Sequence, residues 1–532
     1  MQKHQQSDRL SWGDTVFLHL EREGMPLNVA CVSVFEGQIS FEQCVHFMEA
    51  KLLLIPRYLK RVVPAPFGLG LPTWEFDPEF DLQRHLRQVT LQHGTDTELK
   101  ALAGKLFGQV MDRKHPLWDM TLVRGLKGGH TGLILRLHHC LADGIAGVGM
   151  MNVLLDPSPE VPRLPKRKIR FRIPAKRDPL ASVLAGLADS YSDVVERVLS
   201  AWTDLLSMAQ RVATNGGTLP VDLLLQALPE IIAPTERLRF NVIYKGPQKF
   251  AWAEIPLCDI KAVRQACGTS INDVLLALLT STVRRYLELH GDRVKGRLLR
   301  LMVPVNLRGN DSPGELGNRI SLVPVTVPLD IRNPKKLLAA MHGRTELLKN
   351  AHAAELVSLV GGLIGVFPSA LQAFVGPMMS QLPITPFNMV CTNVPGPQYP
   401  LYLLGHKMVR WYPYVPVGGE MAVNCAILSY DGDVYFGFSG DVHAAPDLRR
   451  LEKILKESFA ELRNAAGRNT PQKESPHRKK VPPKIPITAK LHVTPKVAHA
   501  HAPAKVPPLS LESAGATQPT SAEKDVLEQS IA

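Results

Sequence analysis

Thr131-Gly132-Leu133-Ile134-Leu135-Arg136-Leu137-His138-His139-Cys140-Leu141-Ala142-Asp143-Gly144 is the stretch whose reading decides the fold class of this chain. Thr131 to Leu137 is almost wholly apolar, as in a buried strand, and Ile145 to Leu154 spaces its apolar residues as a helix packed against a sheet does. The expected order is therefore strand, polar turn, helix, with two histidines and an aspartate in or beside the turn. If strand alternation persists to its end, His138 and His139 point to opposite sides, so only one of them faces the chemistry.

An imidazole near its ordinary pKa can take a hydroxyl proton as that oxygen attacks a thioester, then return the proton to the departing thiolate. Such a transfer needs no nucleophilic side chain. Asp143 suits an architectural role, its carboxylate accepting hydrogen bonds that fix the loop. Two plainer readings fit the same residues: satisfied core histidines, or two ligands of a metal ion. A metal site needs a third ligand at a recognisable spacing. Cys140, Cys258, Cys267, Cys391 and Cys425 form no close C-x-x-C or H-E-x-x-H arrangement, so no metal is expected.

Further motifs follow in order: Pro116-Leu117-Trp118, Asn272-Asp273-Val274, Pro304-Val305-Asn306-Leu307-Arg308 with Gly317-Asn318, and Thr392-Asn393-Val394-Pro395-Gly396-Pro397. With the double-histidine run, and over residues 8 to 465, they make the chain resemble the bacterial wax ester synthase and diacylglycerol acyltransferase family. That family lies in the superfamily of coenzyme-A-dependent acyltransferases that includes chloramphenicol acetyltransferase and peptide-synthetase condensation domains. The resemblance implies an α/β fold of two chloramphenicol-acetyltransferase-like domains with an interdomain substrate tunnel. It implies His139 as the catalytic base, His138 as its structural neighbour, and Asp143 and Gly144 as the residues shaping the turn. The implied reaction moves a long-chain acyl group from acyl-coenzyme A to diacylglycerol, or alternatively to a long-chain fatty alcohol to give a wax ester. No cofactor is expected, because acyl-coenzyme A is a substrate. Thr392 stands where serine is common in the family and keeps the hydroxyl.

Three more residues join the substrate-binding candidates. Trp118 follows a turn-setting proline and is an aromatic that can wall a cavity. Asn272 sits in the first turn of an apolar helix that the resemblance places against the tunnel; helix capping is the competing reading for it and for Asp273. Thr392, or an adjacent amide, would steady the oxyanion formed when the thioester is attacked, while a role in the Pro395-Gly396-Pro397 turn is the alternative. Asp431-Gly432 between two apolar runs is a hairpin signature.

At 532 residues and 45% hydrophobic, the chain can bury two cores. The reading divides it into an N-terminal domain (8–156), a basic linker with connecting helices (157–239), a C-terminal domain (240–464) and a disordered basic tail rich in Pro, His and Lys (465–532). The N-terminus lacks the apolar region of a signal peptide, and seven scattered cysteines suit a reducing compartment. Leu356 to Phe387 carries no charge but is broken by Gly361, Gly362, Pro368, Pro377 and Pro383, which suits a lipid-facing lid or tunnel wall, or a buried helix pair, better than a membrane span. Lys166-Arg167-Lys168-Ile169-Arg170-Phe171-Arg172 and the net charge of +13 fit an anionic membrane or lipid-droplet surface, though a solvated connection reads equally well. No nucleic-acid partner is expected, since no base-reading motif accompanies the charge. The expected location is cytoplasmic, peripheral to the inner membrane or lipid droplets.

Overall fold

The computed structural model describes residues 9–65, 71–142, 144–161, 235–306, 320–351, 353 and 387–467. The basic run at 166–172, the apolar stretch from 356 to 386 and the tail beyond 467 lie outside the described residues, as do Asp143, Arg308 and Asn318. The first half of the chain supplies α1 (Trp12–Leu20), β1 (Asn28–Phe35), α2 (Phe41–Leu52), β2 (Lys60–Val63), β3 (Thr73–Phe76), β4 (Leu86–Thr90), α3 (Asp96–Phe107), β5 (Trp118–Arg124), β6 (Thr131–His138) and α4 (Gly144–Leu154). The second supplies β7 (Gln248–Pro256), α5 (Leu257–Cys267), α6 (Ile271–Leu289), β8 (Leu298–Asn306), β9 (Ile320–Pro328) and α7 (Pro334–Asn350). After these come β10 (Met389–Pro395), β11 (Tyr402–Leu403), β12 (His406–Tyr414), β13 (Val423–Tyr430), β14 (Asp433–Asp441) and α8 (Arg450–Ala465).

Local chemistry sets these boundaries. Ser11, Ser40 and Asn333 cap α1, α2 and α7 by accepting a backbone N–H of the first turn. Thr95 with Glu98, and Ser270 with Asp273, form full capping boxes at α3 and α6. The Asp431-Gly432 turn carries φ of 42° and 92° at its two residues, the left-handed geometry that joins twisted antiparallel strands, and β13 and β14 pair on either side of it. Every residue of β6 is buried, as its unbroken apolar run requires.

Two six-stranded sheets result, ordered β11-β12-β1-β6-β5-β4 and β7-β14-β13-β10-β8-β9. The first corrects the division of the chain at 240–464: β11 and β12 belong to the second half by sequence yet extend the first sheet, with Val32 opposite Tyr412 on β1. A strand joins whichever edge satisfies its backbone groups, and the exposed edge of β1 is that edge here. Beside Asp156, just past α4, Tyr402 exchanges both backbone hydrogen bonds with it at 2.7 and 2.8 Å. Buried Lys51 reaches the Asp156 carboxylate at 2.7 Å, tying α2 to the same junction.

From the first sheet, β12 lies across the second. A Cβ on Gly437 of β14 would fall 1.7 Å from the Pro413 carbonyl oxygen, so only glycine admits this approach. Trp252 stacks on Tyr412 with centroids 4.4 Å apart, and Tyr412 donates to Glu254 at 2.8 Å. A second seam joins α3 to β7, where Gly104 packs on the Gln248 carbonyl and Lys100 pairs with Glu452 at 2.8 Å. Among the described residues no single helix is long and apolar enough to cross a membrane.

Candidate active site

β6 is hydrogen-bonded to β1 and β5 along its length and ends at the turn that carries the two histidines. The His138 amide donates to Leu117 O and the His139 amide to Leu27 O, both at 2.9 Å, and the turn closes with Leu141 N–H on His138 O at 2.9 Å. Alternation carries over this strand end. His138 is fully buried, while His139 is half-buried and lines a cavity.

His138 is held by its surroundings rather than by substrate. Its Nδ1 accepts the Cys140 N–H at 3.1 Å, which places the ring proton on Nε2, and Nε2 faces Glu21 Oε1 at 3.3 Å. Glu21 has no exposed side-chain surface; it also accepts the Leu27 N–H at 3.2 Å and pairs with Arg113 at 3.2 Å. Burial pulls the Glu21 pKa up, but the nearby His138 ring, the Leu27 N–H and the Arg113 charge outweigh it and hold the carboxyl below its ordinary value. The carboxylate is therefore ionised next to His138.

Phe17, in the last turns of α1, stacks on the His139 ring at 3.9 Å and 15°. Burial, opposed by a hydrogen bond to its own backbone and aided by His138, pushes the His139 pKa down to about 4. A neutral imidazole at physiological pH is thus what the cavity receives. Desolvation also raises the Cys140 thiol well above its ordinary pKa, aided by Asp14 and Glu21, which leaves no thiolate nucleophile in the turn.

The cavity, about 140 Å³ in volume, lies between the two sheets and opens to solvent. β1 and β6 contribute Val29, Ala30, Cys31, Leu135 and Leu137, and α4 contributes Gly144, Gly147, Val148 and Met151. Beside β1 on the same sheet, β12 adds Trp411 and Pro413, and the second sheet contributes Thr392, Asn393 and Val394 of β10 and Ala426 to Leu428 of β13. Among the described residues that line it there is no Asp, Glu, Lys or Arg, so the space suits an alkyl chain, with the His139 imidazole on its wall.

The structure brings together most of the residues singled out from sequence. His139, Gly144 and Thr392 line the cavity. A Cβ on Gly144 would stand 2.9 Å from Val394 Cγ2, so glycine is what lets α4 begin this close to β10. Asn272 reaches the wall at one remove, accepting a hydrogen bond from Asn393 Nδ2 at 3.2 Å. Asp273 caps α6 and binds His342 at 2.8 Å and Thr345 at 2.6 Å, which leaves it a structural tie.

Trp118 requires correction as a cavity residue. It is 2% exposed, its indole N–H donates to Tyr58 O at 2.7 Å, and its ring stacks on His85 at 4.5 Å. A strand buried on both faces gives no alternation by which to orient an aromatic, and here the ring turns into the core of the first sheet. Phe17, Glu21 and Arg113 escaped the sequence reading. Glu21-Arg22-Glu23 looks like a solvated helix end, and only the pairing of Glu21 with Arg113, 92 residues away, reveals it as buried.

Comparison with known proteins is consistent across the chain. The family model for the wax ester synthase/diacylglycerol acyltransferase catalytic domain matches residues 10–275, and that for the WS/DGAT C-terminal domain matches residues 316–463. A probable diacylglycerol O-acyltransferase of Mycobacterium tuberculosis (strain ATCC 25618 / H37Rv) is 28% identical over 447 residues, covering 82% of this chain and 91% of that protein. A second from the same strain is 27% identical over 476 residues, covering 86% of this chain and all of that one. Among solved structures, the wax ester synthase/diacylglycerol acyltransferase from Marinobacter aquaeolei VT8 superposes with a TM-score of 0.59 at 24% identity, over 86% of this chain and 100% of that one. The first condensation domain of the calcium-dependent antibiotic synthetase follows at 0.51 and 14%, over 86% and 96%.

Proposed function

Because the chain belongs to the wax ester synthase/diacylglycerol acyltransferase family and is an acyl-CoA-dependent O-acyltransferase, we propose that it acylates diacylglycerol to triacylglycerol with His139 as general base. The observation that carries this reading is the His139 imidazole on the wall of an apolar cavity built by both halves of the chain. Nδ1 of His139 is buried, and Nε2 is the nitrogen proposed to meet the substrate hydroxyl. As the acceptor oxygen attacks the thioester carbonyl, Nε2 takes its proton and the carbonyl oxygen becomes an oxyanion. Collapse breaks the carbon–sulfur bond, and the imidazolium returns the proton to the leaving thiolate, giving the ester and free coenzyme A. No acyl-enzyme forms.

Thr392, across the cavity on β10, is the proposed donor to the oxyanion, and Gly144 and Asn272 shape the wall around it. Apolar walls favour transfer to the alcohol over loss to water. The names of the mycobacterial relatives favour diacylglycerol as acceptor. Diacylglycerol resides in membranes, and a net charge of +13 supports work at an anionic membrane or lipid-droplet surface on the cytoplasmic side.

The test is coenzyme A release from palmitoyl-coenzyme A with dioleoylglycerol or hexadecanol, with lipid products resolved and His139→Ala assayed alongside. Triacylglycerol formation that falls about 10²- to 10⁴-fold in His139→Ala is expected. Preference for hexadecanol would make wax ester synthesis the activity, and full turnover by His139→Ala would overturn the base assignment.

A further inference from the structure

The carboxylate of Glu21 lies outside the cavity, yet two of its partners, Leu27 and His138, lead to His139. Its Oε1 accepts the Leu27 N–H at 3.2 Å, and the carbonyl of that same Leu27 accepts the His139 N–H at 2.9 Å. The same oxygen faces His138 Nε2 at 3.3 Å, and His138 Nδ1 accepts the amide of Cys140, so the peptides on both sides of His139 are tied to one buried acid. The Glu21 backbone N–H donates to Phe17 O at 3.1 Å, closing the helix whose Phe17 ring stacks on the imidazole. Arg113 fixes the second oxygen at 3.2 Å and also donates to Leu18 O at 2.6 Å, which holds the acid against α1.

We propose that Glu21 is a positioning residue for acyl transfer, acting through His138 and Leu27 to hold the His139 imidazole against Phe17 with its reactive nitrogen toward the cavity. The proposal rests on His139 as the base. The physical requirement is angular: an imidazole at a strand end has two free torsions, and a misplacement of the order of 1 Å in a general base costs about 10²-fold in rate. Neither backbone bond to the turn fixes the ring by itself. Stacking on Phe17 sets its plane, and the two flanking peptides, both linked to the Glu21 carboxylate, set its origin. An ionised acid suits the task better than an amide, because only an acceptor at both oxygens satisfies His138, Leu27 and Arg113 together. The charged and titratable groups around it are Asp14 and His19 on α1, Arg113 before β5, and His138 and Cys140 at the turn.

A role through His138 predicts a pattern that simple loss of stability does not. Glu21→Gln, Glu21→Ala, His138→Asn and the double variant Glu21→Gln/His138→Asn are compared with wild type and with His139→Ala for kcat, for KM toward palmitoyl-coenzyme A and for thermal midpoint. Glu21→Ala should lower kcat about 10- to 100-fold with KM within about threefold of wild type. Glu21→Gln should retain more activity than Glu21→Ala, since its carbonyl oxygen still accepts from Leu27. The double variant should fall no further than the worse single variant, the signature of two residues acting in one chain. Should Glu21→Ala fail to fold, the isosteric Glu21→Gln and its cycle with His138→Asn decide the matter. Unchanged kcat in folded Glu21→Ala, or strictly multiplicative effects in the double variant, would overturn the proposal. Inactive His139→Ala beside fully active Glu21 variants would sink this inference alone, whereas active His139→Ala would sink the base assignment on which it stands.

Discussion

Acid should disarm this enzyme at an unusually low pH while unfolding it at an ordinary one. Burial holds the His139 pKa near 4 against the ordinary 6.5, a gap of about 2.5 units. At about 1.36 kcal/mol per unit, that gap amounts to roughly 3.4 kcal/mol in favour of the neutral ring in the folded protein. Because the folded pKa is the lower one, the unfolded chain binds a proton that the folded chain refuses between the two values. Stability is therefore complete above pH 6.5 and is lost as pH falls toward 4. Lowering the pH from 6.5 to 5.0 should cost about 1.6 kcal/mol through this residue alone. His19 and His85, also held below their ordinary values by burial, lose stability over the same window and cancel in a comparison with His139→Gln. Urea denaturation of wild type and His139→Gln at pH 5.0 and 6.5 isolates the contribution: wild type should lose about 1.6 kcal/mol more than the variant. In the same window kcat/KM for coenzyme A release should stay flat, with its acid limb near pH 4, because the base is still neutral. Equal pH slopes for the two proteins, or an acid limb near 6.5, would refute the buried neutral imidazole.

Two substitutions probe the walls around that base. Gly437→Ala places a methyl group 1.7 Å from the Pro413 carbonyl oxygen, a backbone atom that cannot step aside, so β12 must lift from β14. About 3 kcal/mol or more should be lost in chemical denaturation, together with most of the activity, since Trp411 and Pro413 of β12 wall the cavity. Thr392→Val keeps shape and removes the hydroxyl. If that hydroxyl meets the oxyanion, kcat should fall about 10²-fold while Thr392→Ser stays near wild type, and an unchanged Thr392→Val would hand the role to a backbone amide.

The elements that sequence made legible are those whose signals are local. An unbroken apolar run defined β6, and Asp431-Gly432 defined the hairpin. Alternation at the end of β6 also separated His139 from His138, because a period of two needs only neighbouring residues. What escaped depends on distant partners. Trp118 was turned inward by Tyr58 and His85, each more than 30 residues away. Glu21 is charged and flanked by charge, which reads as surface until His138 and Arg113 are folded onto it. Nothing local in His406–Tyr414 tells a strand of the first sheet from one of the second, because edge pairing is chosen by the assembled fold.

That last ambiguity bears on how the enzyme works. The proposed base stands on the first sheet, the proposed oxyanion donor on the second, and neither sheet closes the cavity alone. β12 is the element common to both: it pairs with β1 in register, packs against Gly437 through Pro413, and lends Trp411 to the cavity wall. The strand that completes the first sheet therefore also fixes its distance from the second. Sliding β12 by one residue would send its inward side chains to the opposite face and remove both Trp411 from the wall and Tyr412 from Trp252. The geometry between His139 and Thr392 is thus set by a strand contributed from the far end of the sequence, and the proposed transfer depends on that crossover as much as on the histidine.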